Sequence, residues 1–308
     1  MILVHSFNSS IDITYQINHL NIGQVHRPNT VIKNAGGKGI NVAKVLNQLK
    51  ENVLLMGYIA GNNGKTIKTK LEDITLSNEF IETDGESRIC IAINDGVHQT
   101  EILESGPLIK KVYQKEYIHK LKRKQHCNVQ VISGSTPILE DATPLEHTHT
   151  ILNSIESNYN IVDVRASELQ QLLQYDEVHC IKPNETEFDE LIGFTCEHLE
   201  QRIDVLKHNP LFQNKDVFLT LGGNGALIKR NNHLYRAHIP NMQIVNPVGS
   251  GDSTVAGIAY GIENLFDDEM MIKFAMACGI SNAMNEQTGY ISLSQINELI
   301  DKIKVEKI

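Results

Sequence analysis

Asn246-Pro247-Val248-Gly249-Ser250-Gly251-Asp252-Ser253-Thr254-Val255-Ala256-Gly257 is the stretch on which the reading of the whole chain turns. Val255, Ile258, Ala259 and Ile262 recur at helical spacing, so a loop of small residues opens a helix near Gly251. Small side chains let backbone N–H groups crowd toward an anion. A helix N-terminus adds free N–H groups, which favour a phosphate or a developing oxyanion. Asp252 would stand beside that anion hole. A carboxylate there can take a proton from a hydroxyl nucleophile while the amides steady a transferring phosphoryl group. The same residues would also serve as a plain Gly-rich turn with an acidic helix cap.

Outward from this segment, short apolar runs alternate with helical ones. Strand-like runs at 128–132, 160–164, 177–182 and 216–221 interleave with helical stretches at 112–124, 144–158, 167–174 and 185–192. Such alternation predicts an α/β fold, a central mostly parallel sheet flanked by helices. Nearer the start, Ile2 to Phe7 and Ile11 to Ile17 read as strands, and Val42, Val45, Leu46 and Leu49 as one face of a helix. Ile89, Ile91 and Ile93 alternate before Asn94-Asp95-Gly96, a hairpin signal. The expected organisation is one domain over 1–308, with a small β-sheet lid contributed by about 8–35 and 87–104. Helical segments are expected from Asp252 to the C-terminus.

Composition excludes several classes. The 308 residues carry 28 basic and 37 acidic side chains, a net charge of −9. That balance argues against nucleic-acid and membrane-surface roles but leaves room for local cations that receive an anionic small molecule. The longest unbroken apolar run is Phe274 to Cys278, far short of the ~20 residues that span a bilayer. No leader pattern is visible at Met1 to Ser6, and the five cysteines form no CxxC pair. A cytoplasmic protein with free thiols is expected. Gly64-Lys65-Thr66 mimics the end of a phosphate loop, but Ile59 stands where its first glycine belongs. No GxGxxG and no HExxH occurs; His147 and His149 are expected to be exposed on a helix.

Asn184 and Glu187 follow Lys182-Pro183 and share one helix face. An amide and a carboxylate there could hold Mg²⁺ directly or through water, or could form a capping box. Gly222-Gly223-Asn224-Gly225 could bring backbone close to a nucleotide or turn a hairpin into Ala226 to Lys229. Gly36-Gly37-Lys38-Gly39 could wrap a polar ligand or start a helix.

Taken in order, these segments resemble the PfkB sugar kinases of the ribokinase-like superfamily. The resemblance is carried along the whole chain by Asn8-Ser9-Ser10-Ile11-Asp12, Ala35 to Asn41, Asn246 to Ala259, and Asn282-Ala283 with Thr288-Gly289-Tyr290. Gly36-Gly37-Lys38-Gly39, Thr100 to Glu104, Ser133-Gly134-Ser135 and Asn246 to Gly249 are most similar to the hexose-phosphate branch. That branch holds tagatose-6-phosphate kinase and 1-phosphofructokinase. The resemblance implies ATP-dependent phosphorylation of a ketohexose phosphate, with tagatose 6-phosphate to the 1,6-bisphosphate favoured over fructose 1-phosphate. A sugar-phosphate-binding protein without turnover is the alternative of another class.

The implied roles follow residue by residue. Asp252 is the base, and Gly249, Ser250 and Gly251 form the anion hole. Asp12, Gly36, Gly37 and Asn41 surround the sugar, Lys38 and Arg88 bind its phosphate, and Ser135 is a further substrate-binding position. Lys182, Asn184, Thr220, Gly222, Gly225 and Asn282 belong to the ATP side, and Asn184 and Glu187 to Mg²⁺. A homodimer through the lid is a further expectation. The chain departs from the family pattern at Ser9, Lys50, Ala60, Ile89, Thr136 to Leu139, and Arg165-Ala166.

Overall fold

A computed structural model describes residues 1–308. The chain opens with β1 (Ile2–Ser6), β2 (Ser10–Gln16), β3 (Thr30–Gly36) and α1 (Lys38–Gln48). Next come β4 (Val53–Ala60), α2 (Gly61–Glu72), β5 (Asn78–Thr83), β6 (Arg88–Asn94) and β7 (Gln99–Leu103). The alternating middle holds α3 (Lys111–Lys122), β8 (His126–Ser133), α4 (Pro144–Leu152), β9 (Glu156–Asp163), α5 (Ala166–Leu172), β10 (Cys180–Ile181), α6 (Glu185–Ile192) and α7 (Leu199–His208). It closes with β11 (Asp216–Thr220), β12 (Ala226–Arg230), β13 (His233–His238), α8 (Ser250–Glu263), α9 (Asp268–Ala283), α10 (Leu293–Lys302) and β14 (Lys304–Lys307).

Ten strands form one sheet in the order β14-β13-β12-β11-β10-β9-β8-β1-β4-β5. Strands β11 through β5 pair in parallel, and β12, β13 and β14 add an antiparallel flank. Alternate residues of each strand feed two cores. Ile2 and Val4 join α1, α2, α8, α9 and α10 on one face; Leu3 joins α3 to α7 on the other. A sheet apolar on both faces needs helices on both, which is the three-layer arrangement. The helices α8 and α9 approach closely because each presents a glycine to the other: a Cβ at Gly257 would meet Ala275 Cα at 2.6 Å, and one at Gly279 would meet Thr254 Oγ1 at 2.3 Å.

A second sheet of four strands runs β3-β2-β6-β7. Its two hairpin-like pairs are antiparallel, while β2 and β6 pair in parallel, Ser10 opposite Arg88.

Several expectations change. The helix expected over 144–158 stops at Leu152, and Glu156 already belongs to β9. The run at 177–182 yields only two strand residues. The C-terminus is not helical to its end, because β14 pairs with β13. His147 is not exposed: it is buried, packed edge-on against Phe7 in a cluster with His5, Tyr58 and Tyr117. The two histidines lie two positions apart on α4, so His149 points elsewhere and stacks on Tyr175. Gly64, Lys65 and Thr66 lie within α2. Lys50 occupies the left-handed position after α1 (φ 61), with the Glu51 amide donating to Leu46 O at 3.1 Å. Glycine is the residue that this helix ending favours.

Candidate active site

One cavity of about 1060 Å³ opens between the carboxyl edge of the main sheet and the small sheet. Its lining brings together Asp12, Gly37, Lys38, Asn41, Arg88, Ser135, Lys182, Asn184, Glu187, Gly249, Gly251 and Asp252. These positions come from six separate stretches of chain, so the fold assembles them.

At one end the α8 N-terminus is held open by backbone geometry. Gly249 adopts φ 82, and a Cβ there would strike Thr288 Cγ2 at 2.6 Å, so only glycine fits. No side chain caps the helix. Ser250 N donates to Pro247 O and Ser253 N to Gly249 O, while the Gly251 and Asp252 amides have no acceptor in the protein. Lys182 Nζ would lie 3.1 Å from a Cβ at Gly251, so an ammonium stands beside this first turn. An anion placed here meets two N–H groups and a cation.

Asp252 is buried in this corner, and Asn41 Nδ2 donates to its Oδ2 at 2.8 Å. Burial pushes its carboxyl up to about 6, and Asp163 adds to the push against the pull of Lys38. Asp163 itself is buried, yet Lys38 and Lys182 beside it hold it below the ordinary carboxylate range. The two buried acids are thereby driven apart, Asp163 downward and Asp252 upward. Asn41 Oδ1 is buried and has no partner.

At the other end, Arg88 Nε donates to Asn8 O at 3.0 Å, and Asn8 Nδ2 reaches Ser105 O and Ser135 Oγ at 3.0 and 3.3 Å. A guanidinium and a hydroxyl there face the same cavity. Between the ends lies Asp12, whose carboxylate takes a 2.6 Å hydrogen bond from Ser10 Oγ. Gly36 does not line the cavity but makes room for Asp12: a Cβ on it would overlap the carboxylate at 1.9 Å. Desolvation raises the Asp12 carboxyl above its ordinary value.

Lys38 lines the cavity, its stem beside Gly134 and its ammonium 3.3 Å from Asp163 and 3.8 Å from Glu187. Asn184 and Glu187 form a reciprocal capping box on α6, Glu187 N to Asn184 Oδ1 and Asn184 N to Glu187 Oε2, both 2.9 Å. That leaves Glu187 Oε1 facing Lys38. No group of three or more His, Cys, Asp or Glu side chains is arranged to hold a metal ion.

Thr220, Gly222, Gly225, Asn282 and the Ser250 side chain stand outside this cavity. Thr220 Oγ1 donates to Pro183 O, and Gly222 sits in an exposed turn. Gly225 is glycine because a Cβ would meet Ala237 O at 2.0 Å, so it serves the β11–β12 hairpin. Asn282 is fully buried. Its Nδ2 donates to Val248 O and its Oδ1 accepts from Gly289 N, both at 2.8 Å. It shapes the loop before α8 from behind. Sequence reasoning missed Asn8 and Asp163 as members of the site; Asp163 carried a signal, being an acid at the carboxyl end of a parallel strand.

An open helix start beside a buried carboxylate is an arrangement suited to phosphoryl transfer onto an alcohol. Residues 5–294 match the model of the pfkB family of carbohydrate kinases, and the chain belongs to that family. It is 35% identical to tagatose-6-phosphate kinases from two strains of Staphylococcus epidermidis, the alignments covering 100% of both chains. A crystal structure of a candidate phosphofructokinase from Staphylococcus aureus is similar with a TM-score of 0.81 and 28% identity, over 100% of this chain and 99% of that one. Phosphofructokinase-2 from Escherichia coli, in complex with substrates and products, shares the fold with a TM-score of 0.89 at 20% identity, over 97% and 98% of the chains. The protein is a carbohydrate kinase with a ribokinase-like fold. None of its helices is long and apolar enough to cross a membrane.

Proposed function

We propose that this kinase phosphorylates a ketohexose phosphate with ATP, and that its substrate is tagatose 6-phosphate, converted to the 1,6-bisphosphate. The observation that carries the reading is the polarity of the cavity. Free amides and a proton-accepting carboxylate stand at one end, and Arg88 with Ser135 at the other. A sugar bearing phosphate on one terminal carbon and a hydroxyl on the other matches that arrangement. The 35% identity to tagatose-6-phosphate kinases favours tagatose 6-phosphate over fructose 1-phosphate.

In this reading Arg88 and Ser135 receive the sugar phosphate, and a guanidinium suits a dianion through paired charge-assisted hydrogen bonds. Asp12 accepts from sugar hydroxyls. The orphaned Asn41 Oδ1 takes another, while Asn41 Nδ2 aims Asp252. Asp252 removes the proton of the terminal hydroxyl, whose oxygen attacks the γ-phosphorus of ATP in line. The Gly251 and Asp252 amides and Lys182 neutralise the charge of the phosphoryl group in flight. Lys38, shared by Asp163 and Glu187, keeps the corner electrostatically balanced. Thr220, Gly222, Gly225 and Asn282 shape the ATP side from behind.

The donor set near Glu187 fits Mg²⁺. One outward carboxylate oxygen and a neighbouring amide suit an ion that keeps several waters and takes its other ligands from phosphates. When bound there, such an ion would neutralise phosphate charge. The small sheet covers the sugar and acts as a lid that keeps water from the γ-phosphate. The loop residues Ile22, Val25 and Val97 and the strand residue Ile102 are exposed, apolar side chains that a second copy would cover. A dimer mass in analytical ultracentrifugation is expected; a monomer at micromolar concentration removes that part of the reading.

The deciding experiment is ADP release with Mg-ATP and tagatose 6-phosphate, fructose 1-phosphate, fructose 6-phosphate or free hexoses. The highest kcat/KM is expected for tagatose 6-phosphate. Preference for a free hexose would sink the phosphate-site assignment, and ATP binding without any turnover would turn the protein into a binder.

A further inference from the structure

Four positions that depart from the family pattern flank the site: Ser9, Ile89, Arg165 and Ala166. The structure disposes of three. Ser9 is buried, its hydroxyl 3.1 Å from Ser6 Oγ. Ile89 packs toward the core from β6 and does not line the cavity. Ala166 is buried at the start of α5.

Arg165 alone reaches the cavity. It follows β9 two residues after Asp163 and precedes α5. Its side chain is exposed and makes no hydrogen bond or ion pair. The other guanidinium of the cavity, Arg88, is fastened to Asn8 O, and Lys38 is fastened to Asp163. Glu168, the acid that feels Arg165, is itself occupied by Thr148 Oγ1 at 2.6 Å. A five-donor cation without a partner therefore faces a cavity that receives anions.

The sheet order places Arg165 along the cavity. Strand β9 lies between β10, which leads to Lys182 beside Gly251, and β8, which leads to Ser135 beside Asn8. Arg165 thus enters the cavity from the strand end between those two contributions.

We propose that Arg165 clamps the phosphoryl group during transfer, a specialisation of this chain that rests on the kinase reading above. The sugar hydroxyl loses its proton to Asp252 and its oxygen bonds to the γ-phosphorus. The bond to the β,γ-bridging oxygen breaks, and its electron pair leaves with ADP. Arg165 exchanges no proton; its N–H groups hold the equatorial oxygens, which carry most charge midway. An interaction made chiefly at that stage raises kcat rather than lowering KM.

The test is steady-state kinetics of Arg165→Ser, Arg165→Lys and Arg165→Ala beside the unaltered enzyme, with thermal melts to show that each folds. Loss of a charge-assisted hydrogen bond corresponds to ~10–150-fold, expected in kcat for Arg165→Ser. The KM for the sugar phosphate should stay within about threefold. Arg165→Lys should fall between, and added guanidinium ion should restore part of the kcat of Arg165→Ala, which a structural role would not allow. A raised sugar-phosphate KM at unchanged kcat would overturn the inference by making Arg165 a ground-state anchor. Unchanged kinetics would overturn it by making Arg165 plain surface. If the unaltered enzyme turns over no sugar phosphate, the kinase reading falls first, and this inference with it.

Discussion

Helices α6 and α8 both begin in the wall of the same cavity, and they treat their free amides in opposite ways. At α6, Asn184 and Glu187 satisfy each other's backbone. At α8, Gly249 turns the chain without offering a side chain, and the Gly251 and Asp252 amides stay open. A satisfied N-terminus stabilises the protein by itself. An open one costs stability until an anion arrives, so its presence marks where binding energy is collected. The helix that looks less well made is the one to which the proposed function assigns the chemistry.

The sharpest way to break this contrast is Asp252→Asn. Removing a general base should lower kcat by ~10²–10⁴ while sugar-phosphate affinity stays within a few-fold. Near-normal turnover, measured by ADP release, would leave α8 as an ordinary turn. The protonation of Asp252 gives a second handle. With its carboxyl raised to about 6, the active form is the anion, so kcat/KM should fall about tenfold per unit below that pH. The substrate's own phosphate titration must first be divided out. A profile flat down to pH 5 would remove Asp252 from the role.

Glu187→Gln sharpens the other side. Glutamine also serves in a capping box, so the melting temperature should hardly move. The Mg²⁺ needed for half-maximal rate should rise by roughly tenfold, because the outward carboxylate charge is gone. A large drop in melting temperature with unchanged Mg²⁺ dependence would make the pair purely a cap. The smallest effect belongs to a helix end remote from this contrast. Lys50→Gly should stabilise the protein by roughly 0.5–1 kcal/mol in urea unfolding, since Lys50 holds a left-handed backbone that glycine adopts freely. No gain would mean that the Lys50 side chain contributes contacts of its own.

What the sequence disclosed follows from which signals are local. Strand–helix alternation from β8 to β11 and the turn at Asn94-Asp95-Gly96 are written in neighbouring residues, and both appear as elements. The strand Lys304–Lys307 is not, because only Val305 is apolar and the strand exists through pairing with β13. The length of α4 was overread because Asn153-Ser154-Ile155 breaks the helix without glycine or proline. In the site, glycines and acids at fixed spacing made the α8 corner visible. The partners of each charge were not: Lys38 chose Asp163 and Glu187 across the sheet, and no spacing announces that. Asn282 was read as facing a ligand, yet both of its polar atoms are spent on backbone.

The parallel pairing of β2 with β6 also governs how the molecule is made. Ser10 meets Arg88 only after everything from α1 to β5 has been threaded between them, and that intervening stretch belongs to the main body. Closing so long a loop costs chain entropy that pairing alone repays late. The main sheet closes a longer loop still, Ile2 lying opposite Val129, so both sheets depend on contacts distant in sequence. A ribosome releasing this chain would expose the anion-binding corner of a nearly finished enzyme only once α8 emerges, long after both halves of the small sheet have been waiting outside.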